Sequence, residues 1–505
     1  MKLFKKIAGF ILAFAMILAI AMPSVVMADE TYTLTLDNTV KGHTYEVYQI
    51  FTGKLSTKDH KKVLSDLAWG SGVKADAYTG ITAKDKANTL TDETKAKAFA
   101  KELVDENKLS DIKKTKESAA GFTVIDGLTA GYYLVKDKDG SVPGKDSKHD
   151  SYTAYILQVV GNDSVKVKSD VPTSQKKVKD INDSESSKMT GWQDSADWDI
   201  GDEIPFKIEG TLPKNYTEYR KYTLKFHDKE EKGLSFNKNS VKVFVDEKEI
   251  TDTSKYRVVT ADLEDECTFE VIFDDMRSIT EATNHSVVRV EYTSTLNKHA
   301  VLGECGNKNT MHMEFSNNPN DEQGGDFGET PDDTVIVFTY KVDVNKVDEQ
   351  GNKLTGAEFT LEKKIKDEPE DKWVPIDKVT GTEDDLFEFK GIDDGEYRLT
   401  ETQAPQNYDK LSESIYFTVK ADHTIESNDP KLESFSGDIN SGNVGTMEFT
   451  PNKSEGTLST KVVNKPGSSL PETGGMGTTI LYVAGAVMIL AAGAFLVMQK
   501  KAEDK

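Results

Sequence analysis

A mainly β chain, built as tandem Ig-like β-sandwich domains, is predicted by three observations. Short runs alternate apolar and polar residues with period two, as in "EIPFKIEG", "VKVFVDEKEI", "SVVRVEYTSTL", "VIVFTYKVDVNKVD" and "ESIYFTVK". Such alternation lays one face of a strand on a core and leaves the other in water. The runs are closed by Gly, Asp, Asn and Pro, the residues that turn a chain back on itself. Helical periodicity is concentrated in one early segment, 91–108, where Ala98, Phe99, Leu103 and Val104 share roughly one face. Thr91 and Glu93 there suggest a capping-box start.

Each element has its own signal. Residues 1–28 place Lys2, Lys5 and Lys6 before an apolar run from Ile7 and a small-residue site at Val26 and Ala28. That is the order of a secretory signal, so the mature chain is expected to begin at Asp29. A Pro- and Ser-bearing break ends the first unit near 170, giving 29–170. The polar, Gly-rich stretch 317–333 precedes a strong new strand and gives a middle unit at 171–335. The last unit is 336–466, and a short Pro/Gly/Ser spacer at 464–469 leads into a terminal segment at 467–505. An apolar run at 478–498, followed by Lys500 and Lys501, is long enough to span a bilayer with its basic end on the cytoplasmic side.

Composition narrows the function. The chain has 505 residues and a net charge of −23, which argues against nucleic acid as a partner, since phosphate binding wants clustered Lys and Arg. Its two cysteines, Cys267 and Cys305, are too few for a disulfide framework, and whether they pair is left open by spacing alone. No GxSxG, HExxH or P-loop is present, the histidines are scattered, and no metal or cofactor motif stands out. An enzyme is therefore not expected.

Polar residues on core-facing parities are the strongest clue to chemistry. In the last unit, Lys346 shares parity with Val342 and Val344, Glu401 with Tyr397 and Leu399, and Asn464 with Leu458 and Val462. Each would be costly in a β core alone. The middle unit repeats the pattern: Lys176 with Val178, Asp228 with Leu224 and Phe226, and Asn309 with Met311, Met313 and Phe315. Lys177, Asn307 and Asp197 are second choices there. The first unit departs from it, because "TYTLTLDN" lacks a lysine and "TAGYYLVKD" puts Lys136 where a carboxylate would stand. No internal amide bond is expected in that unit.

These stretches carry a resemblance. "YRLTETQAP" is similar to the YxLxETxAP box of collagen-adhesin B-type domains, and "VNKVDEQGNKLTGAEFTL" to their opening strand. The middle unit resembles the A-type-related, isopeptide-forming domain of backbone pilins, and "GHTYEVYQIFTG" resembles the start of an N-terminal pilin domain. The resemblance implies a spontaneous amide between Lys346 and Asn464 promoted by Glu401. It implies a second, Lys176 to Asn309, promoted by Asp228.

LPETG, at Leu470, Pro471, Glu472, Thr473 and Gly474, stands directly before the apolar run and basic end, an order that resembles a sortase substrate. Cleavage between Thr473 and Gly474 is then implied, with Thr473 passing to an amine. No YPKN motif supplies that amine; Lys168, and after it Lys166, are expected to face outward beside Val165 and Val167. The expected function is the shaft subunit of a covalent Gram-positive surface pilus, secreted and wall-anchored, supporting adhesion. Its partners would be sortase, identical subunits, minor pilins, peptidoglycan and a host surface ligand. The alternative is a monomeric wall-anchored adhesin or minor pilin.

Overall fold

The computed structural model describes residues 30–58, 61–142, 151–153, 155–160, 163–168, 170–263, 265–367, 369–380, 386–441, 447–467 and 476–503. The expected signal peptide at 1–28 and the LPETG stretch at 470–474 lie outside the described residues.

Six sheets carry the described strands, and the expected boundary between 335 and 336 falls inside Asp333–Phe338, a strand of the middle pair of sheets. In the first unit, Tyr32–Thr39 lies between Gly121–Leu128, antiparallel, and Asp163–Lys166, parallel. A second sheet is built around Thr44–Lys58, and the helices Ala83–Thr89 and Glu93–Asp105 pack on it through Ala87, Phe99 and Leu103 against Phe51 and Leu134. The second helix starts one residue later than a Thr91 cap would place it. Asp92 is its N-cap, and the carboxylate accepts from the Lys95 backbone N–H. The first helix was not legible in sequence, since seven residues with only Ala83 and Ala87 inward are too few to display a period.

The middle unit faces a sheet centred on Leu224–Glu230 and Asn307–Ser316 against one containing Ser174–Val178, Glu203–Thr211 and Val287–Leu296. Alternate residues of those strands interdigitate, including Phe206, Ile208, Phe226, Val290, Met311 and Phe315. Its last strand, Asp333–Phe338, hands over at Thr339 to Tyr340–Val347, the first strand of the next sheet. In that last unit Tyr340–Val347 lies between Leu386–Ile392 and Thr457–Val463. A five-stranded sheet containing Glu358–Ile365, Gly395–Gln403 and Ile415–His423 covers the other side of the core.

Cys267 is half-buried and Cys305 exposed, and both are free thiols. The helix Met476–Glu503 contains the one described segment long and apolar enough to cross a membrane, Ile480–Lys500.

Candidate functional site: buried lysine, asparagine and carboxylate

The first and last strands of the last unit run parallel, with Lys346 opposite Val462 and Val347 opposite Val463. The Asn464 backbone N–H continues the ladder by donating to the Val347 carbonyl at 3.0 Å. This register brings the side chains of Lys346 and Asn464 to one point at the end of the sheet. Glu401, on Gly395–Gln403 of the facing sheet, reaches the same point from across the core. All three are 2% exposed or less, so water does not compete for them.

Lys346 Nζ donates to Asn464 Oδ1 and to the Val462 carbonyl at 3.1 Å, and lies 3.5 Å from Glu401 Oε1. The Asn464 amide nitrogen donates to both Glu401 oxygens, at 2.9 and 3.1 Å. The Leu411 backbone N–H fixes Glu401 Oε2 at 2.8 Å. Burial lowers the Lys346 ammonium to about 8, against the opposing pull of Glu401. An amine that loses its proton at about 8 thus touches an amide carbonyl, while a carboxyl group sits on the nitrogen of the same amide.

The middle cluster again joins a lysine, an asparagine and a carboxylate, here an aspartate, with one more residue between them. Lys176, Asp228 and Asn309 are completely buried. Lys176 Nζ donates to Asp228 Oδ2 and to the Tyr292 hydroxyl at 2.7 Å. Tyr292 donates to Asp228 Oδ2 at 2.8 Å and accepts from Asn309 Nδ2 at 3.0 Å, so its hydroxyl bridges lysine and asparagine. Asn309 Oδ1 and Asp228 Oδ1 have no hydrogen-bond partner despite their burial. Burial pushes Lys176 down and Asp228 up, and burial together with the neighbouring Asp228 lifts Glu230 to about 8. Glu230 also approaches Asn309 Nδ2, at 3.4 Å.

The second choices lie elsewhere. Lys177 Nζ pairs with Asp194 at 2.6 Å. The Asn307 side chain is taken up by the backbone of Val301 and Val337. Asp197 accepts from the Asp394 N–H at 3.3 Å, towards the last unit. In the first unit, Lys136 is buried beside Glu46 at 3.4 Å and Asp139 at 2.6 Å. Val167 is buried, and Lys166 and Lys168 are exposed. Lys168 Nζ contacts Glu218 at 2.9 Å and Glu93 at 3.0 Å.

Tyr292 and Glu230 were missed in sequence reasoning, although both share a parity with core residues: Tyr292 with Val288 and Val290, Glu230 with Phe226 and Asp228. The signal was present but reads as an ordinary sandwich tyrosine and a strand-end glutamate.

Comparison with known proteins adds to this geometry. Residues 340–431 match the SpaA prealbumin-like fold domain, and residues 462–505 match the LPXTG cell wall anchor motif. The chain is 24% identical to the trypsin-resistant surface T6 protein of Streptococcus pyogenes serotype M6, over 95% of this chain and 97% of that one. The solved T6 backbone pilin, described as a modular three-domain structure, is similar over 88% of this chain and all of its own, with a TM-score of 0.56 and 18% identity. The chain is accordingly a secreted, cell wall-anchored surface protein that carries a SpaA prealbumin-like domain and is similar in fold to a three-domain backbone pilin.

Proposed function

We propose that the chain is the shaft subunit of a covalently polymerised pilus, held within each subunit by lysine–asparagine amide bonds and between subunits by sortase. The observation that carries this reading is the buried contact of Lys346, Asn464 and Glu401 between a first and a last strand. The similarity to the T6 backbone pilin along nearly the whole chain supports the assembly it would serve.

Within a domain the chemistry is a transamidation. Neutral Lys346 Nζ attacks Asn464 Cγ, a proton passes from the new ammonium centre through Glu401 to the departing nitrogen, and ammonia leaves. Packing supplies the proximity, so no separate enzyme is needed. In the middle unit Asp228 would play the acid, Tyr292 would relay the proton, and Lys176 would join Asn309. Between subunits, Thr473 would be left as a thioester on sortase and taken by Lys168 of a neighbour, with Lys166 the next choice. The last subunit would pass to peptidoglycan, and minor pilins and a host surface ligand would complete the assembly.

Intact mass tests the intramolecular part. Two bonds remove two ammonia equivalents, about 34 Da, from the folded chain. A chain at its full unmodified mass refutes both. Denaturing electrophoresis tests the assembly: a shaft gives a high-mass ladder, whereas a single band would favour a monomeric adhesin.

The rate of bond formation should depend on pH with a definite sign. The Lys346 amine is reactive when neutral, and its folded value of about 8 lies below the ordinary lysine value of about 10.4. Freshly synthesised chain should therefore lose ammonia faster as pH rises through about 8, then level off. Before the bond forms, the unfolded chain binds the extra proton between these two values. Folded stability in that window thus rises with pH and falls as pH drops through about 8. A rate that is flat from pH 6 to pH 10, followed by mass after cell-free synthesis, would contradict this role for Lys346.

A further inference from the structure

A second polar cluster lies between the middle and last sheets, where Ser195–Asp197 and the loop before it meet the end of Ile415–His423. His423 Nδ1 lies 2.8 Å from Ser195 Oγ, and that hydroxyl donates its one proton to the Thr424 carbonyl at 2.6 Å. Nδ1 must therefore be the donor to Ser195. A neutral His423 then carries its lone pair on Nε2. Nε2 faces Asp180 Oδ2 at 3.2 Å and Asp197 Oδ1 at 3.8 Å, an arrangement that is repulsive unless a proton or a cation lies among the three atoms.

The carboxylates are aimed, not merely close. Asp180 Oδ1 accepts from the backbone N–H groups of Ile181 at 2.9 Å and Asp197 at 3.3 Å, which leaves Oδ2 to His423 and Gln193. Asp197 Oδ2 accepts from the Asp394 N–H, which leaves Oδ1 turned to the histidine. One donor atom from each of the three residues lies within 4.8 Å of the other two. The fully buried Tyr340 hydroxyl lies against the Asp197 carboxylate and adds a polar group to the same cluster. Lys363, the nearby buried cation, pairs directly with Asp183, Asp199 and Asp393 and reaches Asp197 only by longer-range attraction.

We propose that Asp180, Asp197 and His423 bind one divalent transition-metal cation, which ties the middle sheet pair to the last. One imidazole nitrogen with two carboxylate oxygens suits the zinc and manganese class better than calcium, which prefers an all-oxygen shell. Ser195 fills the usual outer role, holding the other ring nitrogen so that Nε2 presents its lone pair. The rival is a metal-free latch in which a protonated His423 donates to Asp180.

The test uses the full chain without an added histidine tag, dialysed separately against Zn2+, Mn2+ and Ca2+, with bound metal counted by mass spectrometry. One equivalent of zinc or manganese per chain and none of calcium is expected. Ser195→Ala should weaken binding roughly 10- to 100-fold, and His423→Gln or Asp197→Asn at least as much. His227→Ala should change nothing at this site, although it removes the separate His227, Asp265 and Cys267 group. Because the His423 variant could fail to fold, wild-type chain is also compared with and without chelator by hydrogen exchange. Protection of Ser195–Asp197 and Ile415–His423 should fall when metal is stripped. Absence of stoichiometric metal, its retention in both ligand variants, or protection indifferent to chelator would each overturn the proposal in favour of the protonated latch or an adventitious ion.

Discussion

Glu401→Ala is expected to raise the mass of the chain by about 17 Da beyond the side-chain change itself, because the last unit no longer expels ammonia. The loss in stability should be large. Lys346 and Asn464 are separated by 118 residues, and a cross-link closing a loop of that length restricts the unfolded chain by roughly 5 kcal/mol on the disulfide analogy. For a single domain that corresponds to a fall in Tm on the order of 20 °C, with protease resistance falling alongside. Glu401→Gln separates chemistry from packing. It keeps the volume and a hydrogen-bonding side chain at Asn464 Nδ2, yet cannot carry a proton between nitrogens, so it too should leave the full mass. Asp228→Ala should do the same in the middle unit, and the two changes together should restore about 34 Da. A Glu401→Gln chain that still lacks the ammonia would show that the carboxyl group is not the proton carrier.

Lys168→Arg is expected to collapse the high-mass ladder to monomer. Arginine keeps the positive charge facing Glu218 and Glu93, so local packing is retained, but its guanidinium does not take over a thioester. Burial alone would depress the Lys168 ammonium, yet Glu218, and after it Glu93, hold it above the ordinary lysine value. In an attack on Thr473 that ammonium would first have to lose its proton, with Glu218 and Glu93 the carboxylates nearest to it. Glu218→Gln should slow ladder growth without abolishing it, and Lys166→Arg should leave the ladder intact. Should Lys168→Arg still polymerise and Lys166→Arg fail, the linking amine is Lys166; should both polymerise, it lies outside this strand end.

The legible part of the molecule was the part governed by parity. Lys346, Glu401, Asn464, Lys176, Asp228 and Asn309 all fall on core-facing positions of alternating strands, and all are buried. Alternation tells which face a residue takes, but not which facing strand brings it a neighbour. That is why Tyr292, one more aromatic on a buried parity, gave no sign that it would stand between Lys176 and Asn309. Lys363 likewise shares parity with Phe359 and Leu361, but its partners Asp183 and Asp199 are some 180 and 164 positions away. The contacts between the middle and last sheets depend on how two sandwiches abut, and no local period encodes that. His423 was passed over for the same reason: alone in sequence, it acquires meaning from Asp180 and Asp197.

The parallel pairing of Tyr340–Val347 with Thr457–Val463 bears on how far a fibre can stretch. Pulled from its two ends, this unit would otherwise pay out the 118 positions between Lys346 and Asn464, a slack of roughly 400 Å per subunit at full extension. Once those two side chains are joined, the pull passes directly from one strand to the other and the intervening hairpins hang off the line unloaded. A filament made this way would behave as an inextensible tether, keeping its reach constant under drag until a covalent bond breaks.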